Sequence, residues 1–176
     1  TAVAAGCLMD GLSTLTLRWG PMGDWINGVE VVLPDGEIVR TGAGAVSDTW
    51  FSRAPLPDLT GLFINWFGTT GIVTKLAVQL WPKPAVRRRM FVPCARRDGA
   101  FAAMRTLART QLFDDVGGLS WVPSKKAFGV LNPGPRDPDE PEFYLYIDVS
   151  GGDAREFSLK LRVLNERLAG LRRKGH

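Results

Sequence analysis

GTTGIVTKLAVQLWPKP, residues 68–84, decides how the chain divides. Gly68 and Gly71 frame a short turn, an apolar run follows, and Pro82-Lys83-Pro84 shuts it. Residues 72–81 predict a strand. Ile72, Thr74, Leu76, Val78 and Leu80 fall on one face, and Val73, Lys75, Ala77, Gln79 and Trp81 on the other. A glycine before a strand serves a turn or bulge, or lets a ligand reach backbone N–H and C=O groups directly. Both readings stay open at this point.

Charge changes sign at the same place. Residues 1–82 carry four basic and seven acidic side chains, a balance of −3; residues 83–176 carry 18 basic and 11 acidic, a balance of +7. Such a shift beside a Pro-Lys-Pro element predicts a boundary, giving domains 1–84 and 85–176. Basic runs follow it at Arg87-Arg88-Arg89, Arg96-Arg97 and Arg172-Arg173-Lys174. These read as solvated faces or as patches for an anionic partner, with residues 87–89 at the domain junction, toward the acidic half.

The whole chain is 45% hydrophobic and 23% charged, which suits an ordinary globular protein. No run reaches the roughly 18 apolar residues of a membrane span, and no basic stretch followed by an apolar one reads as a secretory signal in these residues. Cys7 and Cys94 form neither a disulfide framework nor a metal motif, so a cytoplasmic setting is expected. The only histidine, His176, reads as a tail. The opening TAVAAGCLMDG reads as the middle of a domain, and the chain is expected to be part of a longer one.

Within residues 1–84, residues 29–33 and 37–41 flank Pro34-Asp35-Gly36, which predicts a hairpin: proline presets φ and glycine accepts positive φ. Residues 42–45 read as a flexible exit. Residues 59–66 predict a short helix capped by Asp58 or Thr60. After residue 84 the order is strand 86–94, a helix capped by Asp98 with Phe101, Met104, Ala108 and Leu112 on one stripe, strand 116–122, strand 143–149 and a last helix. Asp153 and Glu156 match a capping box there, and Phe157, Leu161, Leu164, Leu168 and Leu171 form its apolar stripe. The β-α-β-β-α order predicts an antiparallel sheet of ferredoxin-like layout. The fold class is α+β.

Several chemistries are excluded. With no internal histidine, no nucleophilic triad can be assembled. No metal-ligand spacing, P-loop or dinucleotide fingerprint occurs. Asp114-Asp115 and Asp137, Asp139 and Glu140 sit in turn-like sequence. No catalytic residue is assigned.

Two longer segments, RWGPMGDWINGVEVVLPDGEIVRTG at 18–42 and DLTGLFINWFGTTGIVTKLAVQLWPKP at 58–84, resemble the second half of the FAD-binding domain of the vanillyl-alcohol oxidase superfamily. That superfamily includes p-cresol methylhydroxylase and the D-lactate and glycolate dehydrogenases. Trp19-Gly20, Asp24, residues 28–32, the LPDG turn, DLTGLF at 58–63 and Gly-Ile-Val-Thr at 71–74 carry the likeness. The wording of 40–63 is nearer the phenol-oxidising branch than the hydroxy-acid branch. The resemblance implies a C-terminal lobe of a flavin-binding domain over 1–84, then the start of a substrate-side cap domain over 85–176. It implies FAD as cofactor, with Gly6, Asp10, Gly11, Gly71, Ile72 and Val73 near it. It implies oxidation of an alcohol, phenol or 2-hydroxy acid by hydride transfer to flavin, because in such enzymes the cofactor carries the hard chemistry.

The pyrophosphate-binding lobe and the distal cap of that family have no counterpart in these 176 residues. The implied partners are therefore a small-molecule substrate and the remainder of the same polypeptide, with homo-oligomerisation also compatible. The isolated chain is expected to be colourless and to bind FAD weakly or not at all. Two other readings use residues 85–176: a basic nucleic-acid-binding module with Tyr144 and Tyr146 stacking bases, or an interaction module without chemistry.

Overall fold

The computed structural model describes residues 3–54 and 56–175. Thr1, Ala2, Pro55 and His176, and with His176 its reading as a tail, lie outside the described residues. The fold is α+β, in two compact units, Thr1–Pro82 and Lys83–His176. Among the described residues, no helix is long and apolar enough to cross a membrane.

In the first unit, α1 (Val3–Leu8) and a single helical turn α2 (Thr16–Trp19) precede strands β1 (Ile26–Val32), β2 (Ile38–Arg40) and β3 (Ile72–Val78). The sheet is antiparallel in the order β2-β1-β3. The predicted hairpin is present: Val31 pairs with Val39, and Gly36 takes φ +89 in the turn. Cys7, Ile26, Val29 and Val31 form the buried core. Each fully buried aliphatic side chain of this size contributes roughly 1.5–3 kcal/mol.

β3 departs from the alternation expected for it. The register passes from Lys75 opposite Glu30 to Val73 opposite Val31, so Thr74 is an extra residue in a β-bulge. A bulge shifts the side-chain alternation by one. Val73, Leu76 and Val78 therefore share the core side, while Ile72 is 70% exposed. Leu80, expected on the buried face, lies beyond the strand and is 81% exposed. Trp81 instead anchors the segment, stacking on Trp19 and meeting Trp25 edge-on, both at 5.0 Å between ring centroids.

Two further expectations are corrected here. Residues 42–45 are not a flexible exit but a 3-10 turn, Gly42–Ala45, whose first three residues are buried. Gly44 lies so close to the Trp50 indole that a Cβ would stand 2.7 Å from it. Only Thr60–Phe63 forms a helical turn, also 3-10, because Asn65 enters the left-handed region at φ +63 and no longer helix can pass through it. Asp58 does accept from the Gly61 N–H at 3.2 Å, while Thr60 is buried on the Thr41 hydroxyl at 2.8 Å.

The second unit carries β4 (Val86–Cys94), α3 (Arg97–Ala108), β5 (Asp115–Ser120), α4 (Trp121–Ala127), β6 (Phe143–Gly151) and α5 (Ala154–Arg173). Its sheet is antiparallel in the order β4-β6-β5, the arrangement expected of a ferredoxin-like layout. Leu107 and Leu164 pack with Ile147 and Val149 in one cluster, and Ala100 and Ala103 with Phe143 and Leu145 in another. α5 starts as the sequence indicates: the Asp153 carboxylate accepts from the Glu156 N–H at 2.7 Å, and Glu156 accepts from the Gly152 N–H at 2.6 Å. All five residues of its predicted stripe reach the core clusters.

α3 is less faithful to its pattern. Its first residue is Arg97, so Asp98 lies inside the first turn and pairs with Arg96 at 3.3 Å instead of capping. The Arg97 N–H donates to Glu142 at 2.8 Å, so the carboxylate at this helix start comes from a distant residue. The side facing the sheet is made of Ala100, Ala103 and Leu107, and Phe101 is 41% exposed. Of the predicted stripe, Met104 and Leu112 do pack against these clusters, while Ala100 and Ala103 let the helix approach the sheet closely. β5 ends at Ser120, and Trp121 opens α4, an element the sequence reading omits. Pro123 is tolerated there because it falls in the first turn, where its missing N–H has no helical partner.

Candidate functional site

The expected site residues fall into two groups. Gly6, Asp10 and Gly11 are drawn into one knot at the end of α1. The Gly11 N–H donates to Gly6 O at 2.7 Å, and Met22 N–H donates to Gly11 O at 3.0 Å. Asp10 accepts from the Gly23 N–H at 3.0 Å. There is no room to spare: a Cβ on Gly6 would stand 2.9 Å from the Met22 thioether, and one on Gly23 would collide with the Asp10 carboxylate. Asp10 itself sits at φ +50, and its short side chain tolerates that region when it can bond locally.

Gly71, Ile72 and Val73 lie elsewhere in the first unit, at the start of β3. Gly71 is at φ +154, and a Cβ there would lie 2.5 Å from Val31 Cγ1 and 2.9 Å from Val32 O. The fold thus has its own need for glycine at 71, since β1 occupies the space. Val73 points into the core. Of the three, Ile72 is the one that presents its side chain outward.

The segment between these groups connects them. The Asn65 N–H donates to Leu8 O at 2.7 Å, which ties residues 64–71 to the knot around Asp10. This segment is strained at two residues, Asn65 at φ +63 and Phe67 at +52, while Gly68 takes φ +81 without strain. Among the described residues four non-glycines have positive φ, and three of them, Asp10, Asn65 and Phe67, belong here. Such conformations cost about 1–3 kcal/mol each and collect where function over-determines the backbone. Apolar side chains stand exposed in the same segments: Met9 at 53%, Leu12 at 81%, Trp66 at 53% and Phe67 at 75%. Nothing lies within 4 Å of a Cβ built on Gly68, so the backbone there is open. An open, strained backbone turn among exposed apolar side chains suits a ligand with an apolar ring system and a polar chain.

Sequence reasoning missed Asn65 and Phe67. Asn65 carried a signal, because asparagine is among the few residues that enter the left-handed region readily. Phe67 carried none. Asp24, the acidic residue of the 18–42 motif, has its carboxylate against Gly20, which takes φ +76. Among the described residues no cluster of histidine, cysteine and carboxylates could hold a metal.

Beside the site Glu30 is buried on β1. It accepts from Arg40 at 3.0 Å, from the Thr74 hydroxyl of the bulge at 3.0 Å, and from Lys75. The Lys75 hydrogen bond, above the other contacts, holds its carboxyl below the usual range.

No family profile matches the chain. In sequence it is similar to the glycolate oxidase subunit GlcD of Bacillus subtilis, 38% identical over 84 residues, which is 48% of this chain and 17% of that protein. It is also similar to the 4-cresol dehydrogenase [hydroxylating] flavoprotein subunit of Pseudomonas putida, 44% identical over 63 residues, 34% of this chain and 12% of that one. In structure it matches p-cresol methylhydroxylase with a TM-score of 0.77 at 23% identity, over 97% of this chain and 37% of that one. The chain thus spans well under half the length of the proteins it matches. Its relatives are FAD-linked oxidoreductases of the kind its motifs resemble, and it shares the p-cresol methylhydroxylase fold along nearly its whole length.

Proposed function

We propose that the chain is part of an FAD-dependent oxidoreductase, with residues 1–84 forming the second half of the flavin-binding domain and 85–176 the start of the substrate-side domain. The observation that carries this reading is the strained 64–71 segment tied through Asn65 to the Asp10 knot, with apolar side chains exposed around it. It lies in the half where the flavoprotein motifs fall. Gly6, Asp10 and Gly11 would shape the backbone on one side of the cofactor, and the Gly71-Ile72-Val73 backbone would line the other. Ile72 supplies an outward apolar contact. When bound, FAD would supply the hydride acceptor, and the substrate would be an alcohol, a phenol or a 2-hydroxy acid. This chain's own residues bind and orient. The remainder of the polypeptide would complete the pyrophosphate and substrate contacts, in a cytoplasmic protein.

The reading is tested by titrating FAD fluorescence with the chain. Quenching is expected to saturate with a Kd of about 1 mM, as suits half of a site, and to weaken several-fold in Ile72→Asp, whose side chain is outside the core. Equal quenching by the variant would refute it.

A further inference from the structure

The second unit contains a cavity of about 450 Å³ between the start of α3, the end of α5 and the last residues of β4. That size falls within the roughly 300–1,000 Å³ of sites that enclose small molecules. Its walls are apolar: Val92 on β4, Ala103 on α3, Leu145 on β6, and Leu168 and Leu171 on α5. Leu145, fully buried, and Ala103, 4% exposed, mark its deep end. Close-packed interiors hold few voids larger than a water molecule. Here the α3 side is lined by the small residues Gly99 and Ala103, which keep the space open. Among the described residues no aromatic ring lines it.

The mouth is polar. Arg96, Asp98 and Arg172 line it, so its side chains leave a surplus of positive charge. Arg96 and Asp98 pair with each other at 3.3 Å. Among the described residues the Arg172 guanidinium makes no hydrogen bond or ion pair. Arg173 and Lys174 follow it in the chain and add to the same sign. The N-terminus of α3 and the C-terminus of α5 carry opposite partial charges, which offset each other, so the side chains set the sign. Cys94 also lines the cavity and is half-buried, whereas Cys7, in the first unit, is fully buried. Cys94 is therefore the thiol within reach of a reagent.

We propose that this cavity binds a medium-chain aliphatic carboxylate, with its chain between α3 and α5 and its carboxylate on Arg172. Aliphatic walls take up a flexible hydrocarbon chain, and burying it there removes apolar surface from water. A guanidinium offers paired donors that match a planar carboxylate. One surplus charge at the mouth suits a monoanion better than a phosphate. The competing occupant is an added strand, because β4 is at the edge of its sheet. Pro93, which also lines the cavity, withholds a ladder donor from such a strand. Binding here needs no flavin, so the site stands or falls apart from the oxidoreductase reading.

The test is an amide NMR titration of the 176-residue chain with octanoate, hexanoate and octylammonium, each kept below its micelle concentration. Octanoate is expected to bind with a Kd of about 1 mM and to shift amides of residues 92–103 and 168–175. Hexanoate should bind about fifteenfold more weakly, since each buried methylene is worth about fourfold in affinity. Octylammonium should bind about tenfold more weakly than octanoate, because its charge meets Arg172 with the wrong sign. Arg172→Ala, at an exposed residue, should weaken octanoate about threefold and should not weaken octylammonium. As a second readout, octanoate at about 10 mM should slow the modification of Cys94 by iodoacetamide about tenfold. The site is overturned if octanoate and octylammonium bind alike, if chain length has no effect, if the shifts lie elsewhere, or if Cys94 is modified at an unchanged rate. Shifts that follow protein concentration instead of octanoate would show an interface between copies at the β4 edge, and would equally overturn it.

Discussion

The two units reach stability by different routes. The second wraps its sheet with two long helices, and its strands bury continuous apolar rows, such as Phe143, Leu145, Ile147 and Val149. The first has a small core around Val29 and Val31, a bulged edge strand and long irregular segments. Of the exposed large apolar side chains among the described residues, about two-thirds lie in the first unit. So do the positive-φ residues Asp10, Asn65 and Phe67. A surface that is both apolar and strained marks where binding would supply what the unit's own packing does not. By this contrast the first unit is the cofactor side of the proposal.

The contrast can be broken most forcefully at Gly71. Gly71→Val places a branched side chain where Val31 Cγ1 and Val32 O already stand. Overpacking and strain together predict a loss of about 3 kcal/mol or more in urea denaturation followed by first-unit tryptophans. Gly68→Ala, at φ +81 but in open space, should lose only about 1 kcal/mol. If both changes cost the same, backbone conformation and not close packing sets the requirement at 71.

Leu164→Ala is the counterpart in the second unit. The residue is 2% exposed, between α5 and the sheet, and a loss of about 3 kcal/mol is expected, read by second-unit amide exchange. Smaller still is Asp153→Ala, which removes the cap of α5 and should cost about 1 kcal/mol, measured by the same exchange.

The smallest effects concern pH, and here the units should behave in opposite ways. Glu30 in the first unit has its carboxyl lowered by Lys75. It adds stability above the unfolded carboxylate pKa, and that stability is lost as pH falls through the lower folded value. Asp115 in the second unit is raised, by burial first and Asp148 second. Its ionised form destabilises, so stability falls as pH rises from the unfolded value through the folded one. Glu30→Gln should flatten the acid side of the stability curve. Asp115→Asn should make the second unit slightly more stable at neutral pH. Curves that move together in both variants would show that the two carboxylates do not differ as their neighbours imply.

Legibility in the sequence followed the range of the interaction. The hairpin at residues 34–36 and the α5 cap at 153–156 are decided by neighbouring residues, and both were readable. The face of β3 was not, because the Thr74 bulge arises from pairing with β1, and one extra residue reverses every later side chain. The start of α3 was misread because its carboxylate comes from Glu142, across the sheet. At the candidate site the glycines were visible. The Asn65 link to Leu8 was not, since it joins segments far apart in the chain. The arginines of β4 looked like a solvated run, and only strand pairing reveals Asp148 beneath them.

The most direct measurement is amide NMR of the chain titrated with FAD to about 1 mM. The account predicts that the shifting amides cluster in residues 6–11 and 64–73, in a protein that purifies colourless. Shifts confined to residues 83–175 would contradict it.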